Sequence, residues 1–320
     1  MFFEGSEKKA EIQINAQEIS LLNDFDDNFW IDLVNCSCAQ ILSSINNNYC
    51  KAYLLSESSL FIWHDRLLII TCGQTQLINA IKFFIQKVGV DKIVQLTYQR
   101  KNEYFSHRQP SCFGDDIKVI NHYMQGKAYR FGEMDSHHNY IFHQDNDFIA
   151  SKKHKTYELL AYQISENASK KLTTPNLSCE DIRQFLAIDK LLPGFIIDDF
   201  VFKPYGYSLN AIKDHQYLTI HITPQADSSY VSFESNINLI NLAGKILTIL
   251  APASFDLLSF NEFEFIDKIT TNIPSEYISK SLVNHKLSNG YYVCFANFIR
   301  PQHQFVAPIK LTIAEDNHTL

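Results

Sequence analysis

The chain has 320 residues, 46% hydrophobic and 20% charged, and a formal net charge of −7. That balance allows a substantial core in one large domain or two smaller ones, and the scattered Lys and Arg residues exclude the basic footprint of a nucleic-acid-binding protein. Seven irregularly spaced cysteines without a secretory hydrophobic segment ahead of them predict reduced thiols, no disulfides and a cytosolic location.

In chain order, Asn46-Asn47-Asn48 reads as a turn. Ala52 to Trp63 is strand-compatible, His64-Asp65 reads as a turn, and Arg66 to Cys72 returns as a paired strand. After Gly73, the apolar residues from Thr75 to Ile85 recur at helical spacing. The polar stretch Ser165 to Asn176 reads as a mobile surface connection, and divides a single domain into pseudo-repeats of about 1–165 and 177–320. Beyond it, Tyr205–Ala211, Tyr217–Thr223 and Tyr230–Glu234 read as strands. The apolar stretch from Ile237 to Leu250 is interrupted by Asn238, Asn241, Gly244 and Lys245, which predicts an amphipathic helix and not a membrane span. Strands followed by a helix thus recur, a hint of duplication. Pattern alone reaches α+β.

Metal chemistry finds little support. Cys36-Ser37-Cys38 lacks a second cysteine pair at zinc-site spacing, and His137-His138 with His143 reads as a polar surface group. No metal is expected.

Four segments carry chemistry: Leu55-Ser56-Glu57-Ser58-Ser59-Leu60-Phe61, Thr71-Cys72-Gly73, Tyr207-Ser208-Leu209-Asn210 and Thr219-Ile220-His221-Ile222-Thr223-Pro224. Singly, each has a plain reading. Ser-Glu-Ser-Ser suits a turn or a polar strand face, Cys72 a buried thiol at a strand end, Ser208 a turn, and His221 an exposed or hydrogen-bonded strand residue. Together and in this order they resemble the eukaryotic-type, pyruvoyl-dependent S-adenosylmethionine decarboxylases.

The resemblance implies a four-layer α/β/β/α sandwich of two antiparallel sheets with helices on the outer faces, internally duplicated. It implies self-cleavage between Glu57 and Ser58 into chains 1–57 and 58–320, with Ser58 converted to a pyruvoyl cofactor, His221 as base and Ser208 assisting. That cofactor forms a Schiff base with the substrate amine and accepts the electrons released with carbon dioxide, and Cys72 returns a proton to carbon. Glu7 matches an acid near the active site. Phe3 and Phe202 would sandwich the adenine, with Leu55 and Glu57 among the further substrate-binding positions. The expected product is decarboxylated S-adenosylmethionine for spermidine synthesis. The implied partners are S-adenosylmethionine and, as one option, a second copy of the chain in a homodimer, with no nucleic acid and no membrane.

Two positions depart from the pattern. Gln225 stands where the family has a ribose-binding glutamate, which predicts weaker binding or altered preference. Glu11, Thr156, Glu158 and Glu234 resemble remnants of a putrescine site, but His154 replaces its fourth acid. A protonated His154 could neutralise these carboxylates and make the enzyme putrescine-independent; the plainer reading is a solvated His154. Two other functions compete: a non-catalytic regulatory paralogue that activates an active decarboxylase, and a hydrolase using Cys72 and His221.

Overall fold

The computed structural model describes residues 7–224, 229–302 and 308. The first half of the chain forms β1 (Lys8–Ile14), α1 (Asp27–Cys36), β2 (Ile41–Asn46), β3 (Cys50–Leu55), β4 (Ser58–Trp63), β5 (Arg66–Thr71), α2 (Leu77–Val88), β6 (Ile93–Lys101), α3 (Phe113–Asn121), β7 (Gly126–Gly132) and β8 (His138–Gln144). The second half forms β9 (Thr156–Tyr162), α4 (Glu166–Leu172), α5 (Cys179–Leu186), α6 (Ile188–Leu191), β10 (Ile196–Val201), β11 (Tyr207–Lys213), β12 (Gln216–Thr223), β13 (Tyr230–Ser235), α7 (Leu239–Leu250), β14 (Ser254–Phe260), α8 (Phe265–Asn272), β15 (Ile278–Lys286) and β16 (Tyr292–Ile299).

The strands make two eight-stranded antiparallel sheets, ordered β2-β3-β4-β5-β1-β6-β8-β7 and β10-β11-β12-β13-β9-β14-β16-β15. Each strand of the second order is the counterpart of the strand eight places earlier in the first, so the duplication is one of topology. The first sheet packs α1 to α3 on its outer face through Ala10, Ile12, Trp30, Leu60, Ile69, Ile81 and Phe84. The second packs its own helices through Leu159, Leu209, Ile220, Phe233, Ile246 and Leu257. Period-2 alternation along the strands sends the intervening residues into the gap between the sheets, completing the four layers. Among the described residues, no helix is long and apolar enough to cross a membrane.

That gap is apolar toward each side. Ala52, Phe61, Trp63 and Leu68 meet Ile212 and Tyr217 on one side, and Phe131 and Ile141 meet Leu258, Phe260, Val293 and Phe295 on the other. Each large side chain buried there contributes about 1.5–3 kcal/mol. Between the two clusters the facing strands carry Ser59, Lys9, Gln99 and Lys101 on one sheet and Asn210, His221, Glu158 and Asp256 on the other, all buried. The site lies in this polar middle.

Four expectations change. The strand-compatible run from Ala52 to Trp63 is two strands, a hairpin in which Leu55 pairs with Ser58 across the two-residue turn Ser56-Glu57. Ser56 anchors that turn, its N–H donating to the Gln40 carbonyl at 2.8 Å while its Oγ accepts from the Gln40 N–H at 3.0 Å. The polar connection after residue 165 contains α4, because Ser165 caps the Ala168 N–H and Ala168 and Leu172 bury one face. The second sheet also begins before that connection, with β9. Finally, His138 and His143 are buried, because β8 lies between β6 and β7 instead of at the surface.

Candidate active site

Ser58 opens β4 with φ at +136°, a backbone conformation that side-chain-bearing residues rarely adopt. Strict alternation would turn its side chain toward the helices with Leu60 and Ile62. The positive φ instead brings Ser58 Oγ to 3.0 Å from His221 Nε2, while Ser59 Oγ lies 3.3 Å from the same nitrogen. Two consecutive hydroxyls thus face the second sheet. Holding a non-glycine residue there costs about 1–3 kcal/mol, and such strain gathers where a chain is set to react.

His221 projects from β12 into the gap. Its Nδ1 is 2.9 Å from Ser208 Oγ on β11, and Thr219 Oγ1 is 2.8 Å from Nε2. Burial lowers the imidazole to a pKa of about 3, so the ring is neutral at physiological pH. For Nε2 to present a lone pair to Ser58, Nδ1 carries the proton and donates it to Ser208 Oγ, which assigns the tautomer by role.

On the other side of the Glu57–Ser58 bond, the Glu57 carbonyl accepts from the Cys72 N–H at 3.0 Å and from Cys72 Sγ at 3.4 Å. Two donors on one carbonyl oxygen at a strained serine form an oxyanion cradle. Burial, with Glu57 and Glu7 nearby, raises the Cys72 thiol well above its ordinary value, so it stays protonated. A protonated thiol is an acid, not a nucleophile, which disfavours the hydrolase reading. Glu7 accepts a hydrogen bond from Ser232 on β13, and burial pushes its carboxyl up to about 8. Burial also raises Glu57, against the nearby Lys8.

Residues 1–299 match the family described as adenosylmethionine decarboxylase. The chain belongs to that family. It is 31% identical to the S-adenosylmethionine decarboxylase proenzyme of Xenopus laevis over 95% of this chain and 97% of the relative. With the proenzyme of the same name from Dictyostelium discoideum it shares 30% identity over 92% of this chain and 85% of the relative. In fold it resembles the crystal structure of the Trypanosoma brucei AdoMetDC-delta26 monomer, with a TM-score of 0.60 and 21% identity over 76% of this chain and 99% of that one.

The structure thus brings Glu57, Ser58, Cys72, Ser208 and His221 together, with Glu7 close by. Phe202 follows β10 at the rim, half-buried, its ring centroid 4.9 Å from that of exposed Phe200. The turn behind it needs Gly206 at φ +146°, where a Cβ would stand 3.2 Å from Phe202 Cβ. The Leu55 side chain is packed into the first helix–sheet core, so only its main chain is available to a substrate. Phe3 and Gln225 lie outside the described residues.

The group likened to a diamine site differs from expectation. Glu158 and Glu234 do face each other across β9 and β13, but the cation between them is Lys9 of β1. The Lys9 ammonium bonds Glu158 and sits 3.0 Å from Glu234, whose other oxygen accepts from Tyr217 OH at 3.1 Å. The two carboxylates raise the Lys9 pKa despite burial, so it remains charged. His154 is not that cation. Its Nε2 is 3.3 Å from Glu11 and its Nδ1 2.8 Å from Tyr291 OH, and burial lowers its pKa, leaving it neutral. Nor is it freely solvated: its side chain is 17% exposed and its ring lies 5.9 Å from that of Tyr291, centroid to centroid. Lys9, Glu11, Gln99, His154, Thr156 and Tyr291 line a cavity of only about 10 Å³, room for about one water.

Sequence reasoning passed over Lys9, Ser59, Asn210, Thr219 and Ser232. The available signal was their placement at alternate positions of strands whose other positions are apolar.

Proposed function

We propose that the chain is the precursor of a pyruvoyl-dependent decarboxylase that cuts itself between Glu57 and Ser58. It then converts S-adenosylmethionine to decarboxylated S-adenosylmethionine, the aminopropyl donor for spermidine synthesis. The observation that carries this reading is the strained Ser58 hydroxyl 3.0 Å from a neutral imidazole, beside a Glu57 carbonyl already held by two donors from Cys72.

In this mechanism Ser58 Oγ adds to the Glu57 carbonyl carbon as His221 Nε2 takes its proton, and the Cys72 N–H and S–H stabilise the oxyanion. The C–N bond breaks, the nitrogen regains a proton, and an ester joins Glu57 to Ser58 Oγ. Removal of the Ser58 Cα proton by His221 expels the Glu57 carboxylate, ending chain 1–57. The dehydroalanine left at residue 58 tautomerises and is hydrolysed, losing ammonia. A pyruvoyl group at that position supplies a carbonyl for the substrate amine and a sink for the electron pair released with carbon dioxide. Cys72 Sγ holds the proton that goes to carbon afterwards, Glu7 lies against the same pocket, and Phe202 offers an aromatic face for the adenine.

Lys9 already supplies a buried ammonium between Glu158 and Glu234, so in this reading activity does not depend on putrescine. The intact cleavage apparatus also favours an enzyme over a regulatory paralogue. Intact mass spectrometry tests the central step: wild type should give chains 1–57 and 58–320, the larger with a blocked N-terminus, while Ser58→Ala should stay full length and inactive. Decarboxylation by Ser58→Ala would refute the mechanism.

A further inference from the structure

Three hydroxyls crowd one nitrogen. Ser58, Ser59 and Thr219 all lie within 3.3 Å of His221 Nε2, which has a single lone pair to offer. Ser58 and Ser59 are adjacent in sequence and chemically identical, so something besides proximity must reserve the base for Ser58.

The hydrogen-bond directions around Asn210 supply it. The Tyr53 carbonyl only accepts, so the group facing it at 3.0 Å is Asn210 Nδ2. That fixes the amide, and Oδ1 then points at Ser59 Oγ, 2.6 Å away. An amide oxygen also only accepts, so Ser59 must spend its one proton on Asn210. Ser59 Oγ is left with lone pairs, which Thr219 Oγ1 can satisfy from 3.0 Å. The Ser59 proton therefore points away from Nε2, and so does the Thr219 proton when it is given to Ser59. Asn210 and Ser59 are completely buried, so no bulk water competes for these bonds.

Resting on the self-cleavage reading above, we infer that Asn210 is a positioning residue: it latches the Ser59 hydroxyl and so leaves the His221 lone pair to Ser58. Without the latch, the Ser59 proton turns to Nε2 across 3.3 Å and competes with the attacking hydroxyl. Cleavage then slows because the base is occupied, although Ser58 and the Glu57 carbonyl are unchanged.

The test follows cleavage of freshly translated protein over time by intact mass spectrometry, in wild type, Asn210→Ala, Ser59→Ala and the double variant, with Thr219→Val added wherever Ser59 is removed, because the Thr219 hydroxyl would otherwise turn to Nε2 from 2.8 Å. Asn210→Ala should slow cleavage by about tenfold or more, Ser59→Ala should leave it within about threefold of wild type, and the double variant should recover the Ser59→Ala rate. A merely structural role for Asn210, holding β3 against β11, predicts no such rescue. Asn210→Asp, which keeps an acceptor toward Ser59, should cleave faster than Asn210→Ala and provides a second reading if the alanine variant misfolds by circular dichroism. Wild-type speed in Asn210→Ala, or a double variant no faster than Asn210→Ala, overturns the inference. Folded wild type that stays uncut brings down the self-cleavage reading itself, and the latch with it.

Discussion

Glu7 shows how the site resists being fully ionised. Burial is the largest influence raising its carboxyl from 4.5 to about 8, opposed by the Ser232 hydrogen bond and reinforced by Glu234 and Glu158. A folded pKa above the unfolded value means the folded state keeps a proton that the unfolded chain has released. This contribution to stability is therefore complete below about pH 4.5 and is lost as pH rises through about 8. The denaturation midpoint should fall across that window in wild type and fall less in Glu7→Gln, measured by urea titration at several pH values. In the proposed mechanism Cys72 has two separable roles, one for its backbone N–H and one for its thiol. Cys72→Ala keeps the backbone N–H on Glu57, so cleavage should persist at reduced rate, while decarboxylation should drop by about 10²–10⁴-fold in a carbon dioxide release assay. Ser58, Cys72, Ser208 and His221 could be read from the sequence because motifs name them. Ser59, Thr219 and Ser232 could not, because small polar residues alternating with apolar ones read equally as a solvent-facing strand.

At the level of elements, α2 and α7 follow from apolar spacing. Asn238 caps α7 by accepting from the Ile240 and Asn241 N–H groups. The β3–β4 hairpin did not follow, since its turn carries no glycine and its positive φ falls on Ser58, one residue beyond the turn. Lys9 was equally hidden: it follows Lys8 in a sequence that suggests two surface lysines, yet alternation sends Lys8 to the Gly73 carbonyl on the helix side and Lys9 into the gap. It joins β1 to β9 and β13 through an ion pair within the core. Lys9→Met should cost about 3–5 kcal/mol in urea denaturation, because two buried carboxylates lose their cation. In activity assays at neutral pH, added putrescine should leave wild type nearly unchanged and stimulate Lys9→Met. Strong stimulation of wild type would contradict the diamine-independent reading.

Across the whole molecule, the duplicated order places β1 and β9 at matching interior positions, so each half is tied together by its first strand. The four layers came from resemblance. The sequence pattern stopped at α+β because strands covered on both faces, one by helices and one by a polar-centred gap, lack the uniform apolar run that marks a buried strand. Interior placement of β1 has a further consequence once the bond after Glu57 is cut. The chain 1–57 would supply β1 between β5 and β6 and β3 alongside β4, so separating the two products means dismantling the first sheet. Native gel filtration should therefore show both chains together. Refolding from denaturant should depend on protein concentration for the matured form and not for Ser58→Ala, because a one-chain reaction has become a two-chain one. Under the proposed self-cleavage, maturation would work as a ratchet: the molecule would gain its reactive end once, and after a complete unfolding would have to find a lost partner by diffusion before it could work again.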